Sequence, residues 1–379
     1  MFSVLFILSG ILYFLFILFS WYGWKRNVHY VPYKYTEGIY NTHVSIIIPA
    51  RNEEKNIAKC LDSIAEQSFS KLLTEIVIVD DHSEDQTGTI VKDWIAKHNI
   101  KAQIIFSDGD GMNDKGKKNA LNQGIKKATG ELIITTDADC SMGKEWLSTI
   151  VRYYEKTSAD MIVGMVAIKK ENNFLSAFQS LELTGLSAIG AAWIYFRMPL
   201  LCNGANLAYK KSAFEKTGGF QIERETASGD DTMLMFRFAK QNYNSVHFLK
   251  SKEAMVFTEA ASSLTEFFSQ RKRWGSKVFK QSDLFSVVAA LVVFMFHLSL
   301  ITSLFLALTI HSGWEIFTLL ISIKTISEIL LLQDVLSFYG KRKLVWYIFP
   351  AQIIYPIYIV VTAILSQLRS YEWKGRRVQ

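Results

Sequence analysis

The sequence predicts an α/β protein: a mostly parallel sheet domain flanked by N-terminal and C-terminal transmembrane helices. Three observations predict it. Short apolar runs alternate with helix-like patterns through the middle of the chain, acidic pairs stand just after two of those runs, and long uncharged stretches lie towards both ends. The 379 residues are 50% hydrophobic, 13% aromatic and only 20% charged, a low charge content for a protein that lives wholly in water.

The first stretch, Met1 to Trp24, carries no charge and as a helix would reach roughly 36 Å, enough to cross a bilayer. Lys25 and Arg26 follow it, with no basic start and no small-residue cleavage site, so residues 1–24 read as an uncleaved anchor whose C-terminal end faces the cytoplasm. The middle segment, 40–283, then reads in order. Val44–Ile48 is an apolar strand ending at Pro49, 57–67 an amphipathic helix, and Glu75–Val79 a strand ending at Asp80-Asp81. Thr87–His98 is helical, Ile104–Phe106 a strand, Lys117–Thr129 helical, and Leu132–Thr136 a strand ending at Asp137. Sheets of this kind bind ligands beyond the carboxyl ends of their strands, where both acidic clusters fall.

Residues 284–368 form the C-terminal membrane region. The run Leu284–Trp314 is uncharged, and Ile316–Leu332 is broken by Lys324 and Glu328, four apart and able to pair on one helix face inside a bundle. Leu344–Leu368 contains Pro350 and Pro356, which would kink it. Lys341-Arg342-Lys343 and the basic tail 369–379 both favour the cytoplasmic side, which a single crossing by the last run forbids. A re-entrant last run, an interfacial third run or an external tail would each resolve the conflict.

The net charge of +7 suits anionic lipid or a phosphorylated substrate, whereas scattered Lys and Arg without a basic, aromatic-laced stripe argue against a nucleic-acid partner. Cys60, Cys140 and Cys202 are far apart and show no zinc spacing, which predicts reduced, partly buried thiols.

Asp137-Ala-Asp139 at a strand tip can aim two carboxylates at one divalent cation, and hard oxygen ligands suit Mg2+ or Mn2+ shared with substrate phosphates. Asp80, Asp81, Asp230 and Asp231 invite a plainer reading too, because Asp commonly ends strands and caps helices. Asp230-Asp231 precedes the helix-like segment Thr232–Lys240, where a carboxylate in a cleft could act as a general base. Gln270-Arg-Lys-Arg-Trp274 reads either as a juxtamembrane anchor or as an arginine site for a diphosphate. The surrounding Leu264–Phe279 reads as an interface helix or as ordinary packing.

Taken together, these residues resemble the family-2 inverting glycosyltransferases, in particular the membrane-bound branch of cellulose, chitin and hyaluronan synthases and ceramide glucosyltransferases. The likeness rests on Val44–Glu54, Ile78–Ser83, Lys115–Asn122 with Gly130-Glu131, Thr136–Asp139, Asn203–Tyr209 with Gly218–Phe220, and Gln270–Trp274, which fits the Q-[QR]-x-R-W motif. It covers about residues 40–280. The resemblance implies a GT-A-type, Rossmann-like domain, and it implies roles. Pro49, Arg51, Glu53, Asp80 or Asp81, and Lys117 would hold the donor. Asp137 would contact ribose or sugar and Asp139 the metal. Asp231, with Asp230 as second choice, would be the base. Arg273 would hold the diphosphate, and Gln270, Arg271, Trp274, Asn203 and Gly204 the acceptor or diphosphate. One departure stands out: the family usually has Glu-Asp or Thr-Glu-Asp where this chain has Gly229-Asp230-Asp231, with the last carboxylate retained.

The expected activity is transfer of a sugar from a nucleotide-sugar donor, a UDP-sugar by expectation, to a lipid or glycan acceptor. A processive polysaccharide synthase, working with partner subunits, and a non-catalytic nucleotide-sugar-binding scaffold are the alternatives. Gly109–Asp114 resembles a cation-pump hinge, but the phosphorylated Asp-Lys-Thr-Gly that a pump needs is missing, and no G-x-G-x-x-G, Walker A or H-E-x-x-H pattern occurs.

Overall fold

The structure, a computed structural model, describes residues 2–32, 40–107, 116–220, 230–275, 283–310, 313–367, 371–373 and 376–378. The pump-like stretch Gly109–Asp114, Lys115 and Gly229 lie outside them. The chain divides into two compact units, residues 27–169 with 197–259, and residues 1–26 with 170–196 and 260–379. These units cut across the expected 40–283 segment, because 170–196 and 260–283 pack with the terminal helices.

In the α/β unit, β1 (Val44–Ala50), β2 (Thr74–Asp80), β3 (Lys101–Phe106) and β4 (Leu132–Thr135) are parallel neighbours in the order β3-β2-β1-β4. Ile46, Ile47 and Ile48 in β1 and Val77 and Ile78 in β2 are wholly buried, as consecutive apolar residues in a sheet covered on both faces must be. The helices α2 (Ile57–Ala65), α3 (Thr87–Lys97) and α4 (Lys117–Lys127) connect these strands. On α2, Ile57, Cys60, Leu61 and Ile64 recur at helical spacing and are buried. A Cβ at Gly124 of α4 would stand 2.6 Å from Ile47 Cγ2, so glycine lets α4 lie directly on β1.

The second half was not foreseen in detail. Here follow β5 (Ser141–Met142), α5 (Trp146–Thr157), β6 (Met161–Val163) and β7 (Val166–Ile168). After an excursion into the other unit come β8 (Leu207–Lys210), the helix Lys211–Lys216, the helix Asp230–Gln241, β9 (Val246–Phe248) and β10 (Val256–Thr258). The main sheet extends as β4-β8-β6-β9, with β8 antiparallel to both neighbours, and β5-β10-β7 forms a small second sheet. Asn206 holds this half together from inside, donating to Met165 O and Ala254 O (2.8 Å each) and accepting from Trp146 Nε1 (3.0 Å).

The second unit is helical. It comprises α1 (Phe2–Arg26) and long helices at Phe174–Tyr195, Leu264–Gly275, Leu284–Ile310, Trp314–Phe338 and Ile348–Gln367. Three are long and apolar enough to cross a membrane: Ser3–Arg26, Leu284–Thr309 and Arg342–Ser366. Pro356 lies inside the last helix, as expected for a kink site, while Pro350 falls in its first turn, where its missing N–H costs nothing. Lys324 and Glu328 do pair, at 2.8 Å; Lys324 is buried and Glu328 mostly so. Gln352 bridges both at 2.8 Å, and the Tyr13 hydroxyl donates to Glu328 at 2.6 Å. Two further side chains thus help to satisfy two charges that lipid would not tolerate.

Candidate functional site

The carboxyl ends of β2, β1 and β4 lie side by side and carry most of the sequence-predicted residues. Pro49 sits in β1 opposite Val79. Beyond it, Arg51 is buried, and its Nη1 donates to the carbonyls of Asp81 and His82, at 2.9 Å each. Asn52 N donates to Ser83 Oγ (3.0 Å) and Glu53 N to Thr87 Oγ1 (2.8 Å), so the loop after β1 is zipped to the loop after β2. Asn52 and His82 both take positive φ, +51° and +58°, to make that turn. Arg51 was expected to hold the donor; in the structure its Nη1 bonds shape the two loops that border the strand ends. Glu53 accepts from Asn56 Nδ2 at 3.0 Å.

Asp80 and Asp81 are both buried. Asp80 accepts from Ser83 N (2.8 Å) and borders a cavity of about 330 Å3 shared with His82, Gly88, Lys92 and Phe106. Asp81 meets His82 Nδ1 at 3.1 Å and does not line that cavity.

Just beyond β4, Asp137 and Asp139 are partly exposed while Ala138 and Cys140 are buried. Lys117, at the start of α4, forms an ion pair with Asp137. The thiols behind this turn are reduced and buried, as expected: Cys140 Sγ lies 3.5 Å from Asp139 Oδ1, and Cys60 Sγ 3.6 Å from the Asp137 carbonyl. Burial, reinforced by the charges of Asp139 and Asp137, pushes both thiols far up, so neither ionises near neutrality.

A chain of hydrogen bonds joins this turn to the third acidic cluster. Thr135 Oγ1 donates to Gly204 O at 3.0 Å, and Gly204 N donates to Asp231 Oδ2 at 2.8 Å. Thr232 N adds a 3.1 Å bond to Asp231 Oδ1. A Cβ at Gly204 would stand 2.9 Å from Asp231 Oδ2, so this approach requires glycine. Asn203 caps its own turn by accepting from Ala205 N at 3.0 Å. Asp230 opens the following helix, but its side chain lies outside the described residues.

The remaining predicted residues belong to the helical unit. Arg271 was expected at the acceptor or diphosphate; in the structure it is buried, paired with Glu182 through Nε (2.7 Å) and Nη2, and stacked over Trp274 at 4.3 Å. Tyr358 donates to the other oxygen of Glu182. Gln270 Oε1 accepts from Arg271 Nη1. Arg273 is half-buried in the same helix. Sequence reasoning missed Glu182, Tyr358 and Thr135. The last was detectable as a hydroxyl in an otherwise apolar strand, and Oγ1 of the next residue, Thr136, is buried with no hydrogen-bond partner among the described residues.

Among the described residues no three His, Cys, Asp or Glu side chains gather to hold a metal ion. Asp137 and Asp139, both partly exposed, instead fit a cation that takes the rest of its shell from substrate phosphates and water.

Residues 45–218 match the model of Glycosyl transferase family 2, and residues 132–365, more than half of the chain, match Glycosyl transferase family group 2. Probable glycosyltransferase YdaM of Bacillus subtilis (strain 168) is 28% identical over 255 residues, 66% of this chain and 56% of that protein. The beta-monoglucosyldiacylglycerol synthase of Trichormus variabilis is 28% identical over 244 residues, 61% of this chain and 48% of that protein. The chain therefore spans about half the length of these relatives. A similar solved structure is mannosyltransferase PcManGT from Pyrobaculum calidifontis in complex with GDP-Man and Mn2+, with a TM-score of 0.63 at 17% identity, covering 93% of this chain and 99% of that one. At that identity the likeness shows the fold, which is GT-A-like.

Proposed function

This chain is a glycosyltransferase of family group 2, and on that premise we propose that it is a membrane-bound, inverting enzyme of the cellulose synthase and ceramide glucosyltransferase-like branch. It moves a sugar from a nucleoside-diphosphate donor, by our reading a UDP-sugar, to a lipid or membrane-associated glycan. The observation that carries this reading is the Thr135–Gly204–Asp231 relay, which ties the Asp-x-Asp turn to a second carboxylate within one unit. A donor-side and an acceptor-side acid held in fixed relation is what a single displacement needs.

In this mechanism the acceptor hydroxyl oxygen attacks the anomeric carbon from the face opposite the diphosphate. Its proton passes to Asp231, and the bond from the anomeric carbon to the diphosphate oxygen breaks, with inversion. Two backbone N–H groups aim the Asp231 carboxylate, so it need not reorganise during transfer. Lys117 and Asp137 position the donor, with Asp80 at the nucleoside end. A divalent cation held by Asp139 would neutralise charge on the departing diphosphate. Arg273 and Trp274 contribute to the diphosphate and acceptor from the motif helix. Residues 40–283 supply the catalytic segment, 1–24 the anchor and 284–368 the membrane region, with the catalytic face cytoplasmic because Lys25 and Arg26 close the first span.

The lipid acceptor draws support from the apolar helices and from relatives named for lipid glycosylation, the Trichormus synthase among them. The test is to incubate membranes containing the protein with labelled nucleotide sugars, Mn2+ or Mg2+ and total lipid extract, then separate products by size and solubility. Label in an organic-soluble product supports the reading and names the donor. A water-soluble polymer ladder would replace it with a polysaccharide synthase, and donor binding without any product would replace it with a binding scaffold.

A further inference from the structure

Length and composition alone would count Arg342–Ser366 as a membrane span. Its packing within the helical unit says otherwise. We propose that the helix Ile348–Gln367 does not cross the bilayer but lies along the leaflet beside Arg26, with its outer apolar face docked in anionic lipid; this rests on the reading that the unit is embedded in a membrane.

The frame comes from three helices that run alongside one another. Trp314–Phe338 follows α1 over its length: Leu320 and Ile323 lie against Gly10, Glu328 bonds Tyr13, Asp334 accepts from Trp21 Nε1 (2.8 Å), and Phe338 packs on Trp24 (5.6 Å). Leu284–Ile310 runs the opposite way. Phe296 stacks on Tyr13 at 4.0 Å, while Phe285 meets Trp193, which also bonds Ser20. One end of the frame is therefore marked by Arg26, Phe285 and Tyr339.

The helix Phe174–Tyr195 lies across that end for its whole length. Just before it, Glu171 pairs with Lys341; Phe174 packs on Tyr347, Ser187 accepts from Tyr339 (2.8 Å), Ala192 touches Gly23, and Tyr195 meets Arg26. Contact with this helix thus reports the Arg26 end. The last helix keeps such contact: Leu344 and Ile348 cluster with Ala177 and Leu181, and Tyr355 and Tyr358 pack on Phe178 at 5.9 and 5.6 Å. Further on, Ser366 abuts Gly275 at the end of the helix that carries Arg271, Lys272 and Arg273, charges that hydrocarbon excludes. The strand Tyr371–Trp373 then lies beside that same helix. A crossing helix would instead carry Ser366 ~30 Å from Leu344 along the bilayer normal.

The other side of this helix has no protein cover among the described residues. Trp346, Phe349, Ile353, Ile357 and Ile364 recur at helical spacing and are exposed, Trp346 at 75% and Ile353 at 74%. Lys341, Arg342 and Lys343 precede the stripe, and Lys374, Arg376 and Arg377 follow it in the sequence. An apolar stripe between two basic clusters is complementary to acidic phospholipid at the leaflet surface. This arrangement also places both basic segments on one side, which a fourth crossing forbids.

The experiment uses the full chain in sealed membrane vesicles of known orientation and a membrane-impermeant maleimide. Labelling is read above that of the parent chain, whose Cys60 and Cys140 are buried. Three single additions are compared: Lys343→Cys, a cysteine appended after Gln379, and Glu315→Cys at the far end of the frame. The expected result is that the first and second label from one side and Glu315→Cys from the other. If the appended cysteine labels from the Glu315 side, the helix crosses and the inference is overturned. If all three label from one side, the membrane-spanning reading itself fails. In a second arm, a polarity-sensitive fluorophore on Ile353→Cys should shift to the blue in vesicles of acidic phospholipid; emission as in water would remove the lipid-facing stripe.

Discussion

In the α/β unit Asp137 and Asp139 stand at the end of β4 partly exposed, while Asp231 is aimed by two backbone N–H groups. In the helical unit Glu182 and Glu328 are enclosed by the side chains that neutralise them: Arg271 and Tyr358 around the one, Lys324, Gln352 and Tyr13 around the other. The same chemical group thus serves two purposes. Where solvent and substrate can reach it, a carboxylate can exchange partners during a reaction. Where protein encloses it, every lone pair must already be taken, and the acid fixes how helices pack.

That contrast can be broken first in the helical unit, where the largest effect is expected. Glu182→Ala leaves the Arg271 guanidinium buried without its partner and should destabilise the protein by ~3–5 kcal/mol, read as a lower unfolding midpoint in detergent. Little change would mean that the pair is solvated. In the α/β unit, Asp139→Ala should leave that midpoint nearly unchanged yet weaken metal-dependent donor binding about 100-fold, ~2.7 kcal/mol, measured by titrating nucleotide sugar with and without Mn2+.

A third carboxylate sharpens the rule, because it lies at the opposite end of the sheet. Glu75 is buried in β2 and receives bonds from Ser45 and Thr129 and the ammonium of Lys101. Burial alone would raise its carboxyl, but Lys101, Ser45 and Thr129 outweigh it and hold the group down to about 2. A folded value below the ordinary carboxylate range means that the stability it contributes is complete above about pH 4.5 and is lost as pH falls towards 2. After allowance for the exposure of Lys101 this amounts to about 2 kcal/mol. Glu75→Gln should flatten acid unfolding between those limits; an unchanged profile would show that the acid response comes from elsewhere. The smallest effect is expected from Thr135→Val, which removes one bond to Gly204 and should cost about 1 kcal/mol, seen as a several-fold loss in kcat with KM for donor unchanged.

The first four strands and their helices were legible in the sequence because each strand contains a short apolar run, in β3 only Ile104–Phe106, and each helix repeats at 3.6 residues. The second half was not. Its strands β6, β7, β9 and β10 are three residues long, too short to show a period. The helix Phe174–Tyr195 hid because it buries Ser176, Gln179, Ser180, Glu182 and Thr184, polar residues that mask a hydropathy signal. The acidic residues could be singled out because residue type alone carries their chemistry, Asp137 and Asp139 just after a strand and Asp231 at the start of a helix. The partners of Arg51 and Arg271 could not, because a motif gives a position and not the contacts of its side chain, and Glu182 lies 89 residues from Arg271 in sequence.

The account's central claim is that Asp231 takes the acceptor proton while a separate group of residues holds the donor. The most direct measurement compares Asp231→Asn with the parent protein in one membrane preparation, reading nucleotide-sugar binding and sugar transfer together. The account predicts donor affinity within about twofold of the parent and transfer reduced ~10²–10⁴-fold. Transfer at the parental rate, or donor binding lost along with it, would contradict that division of labour.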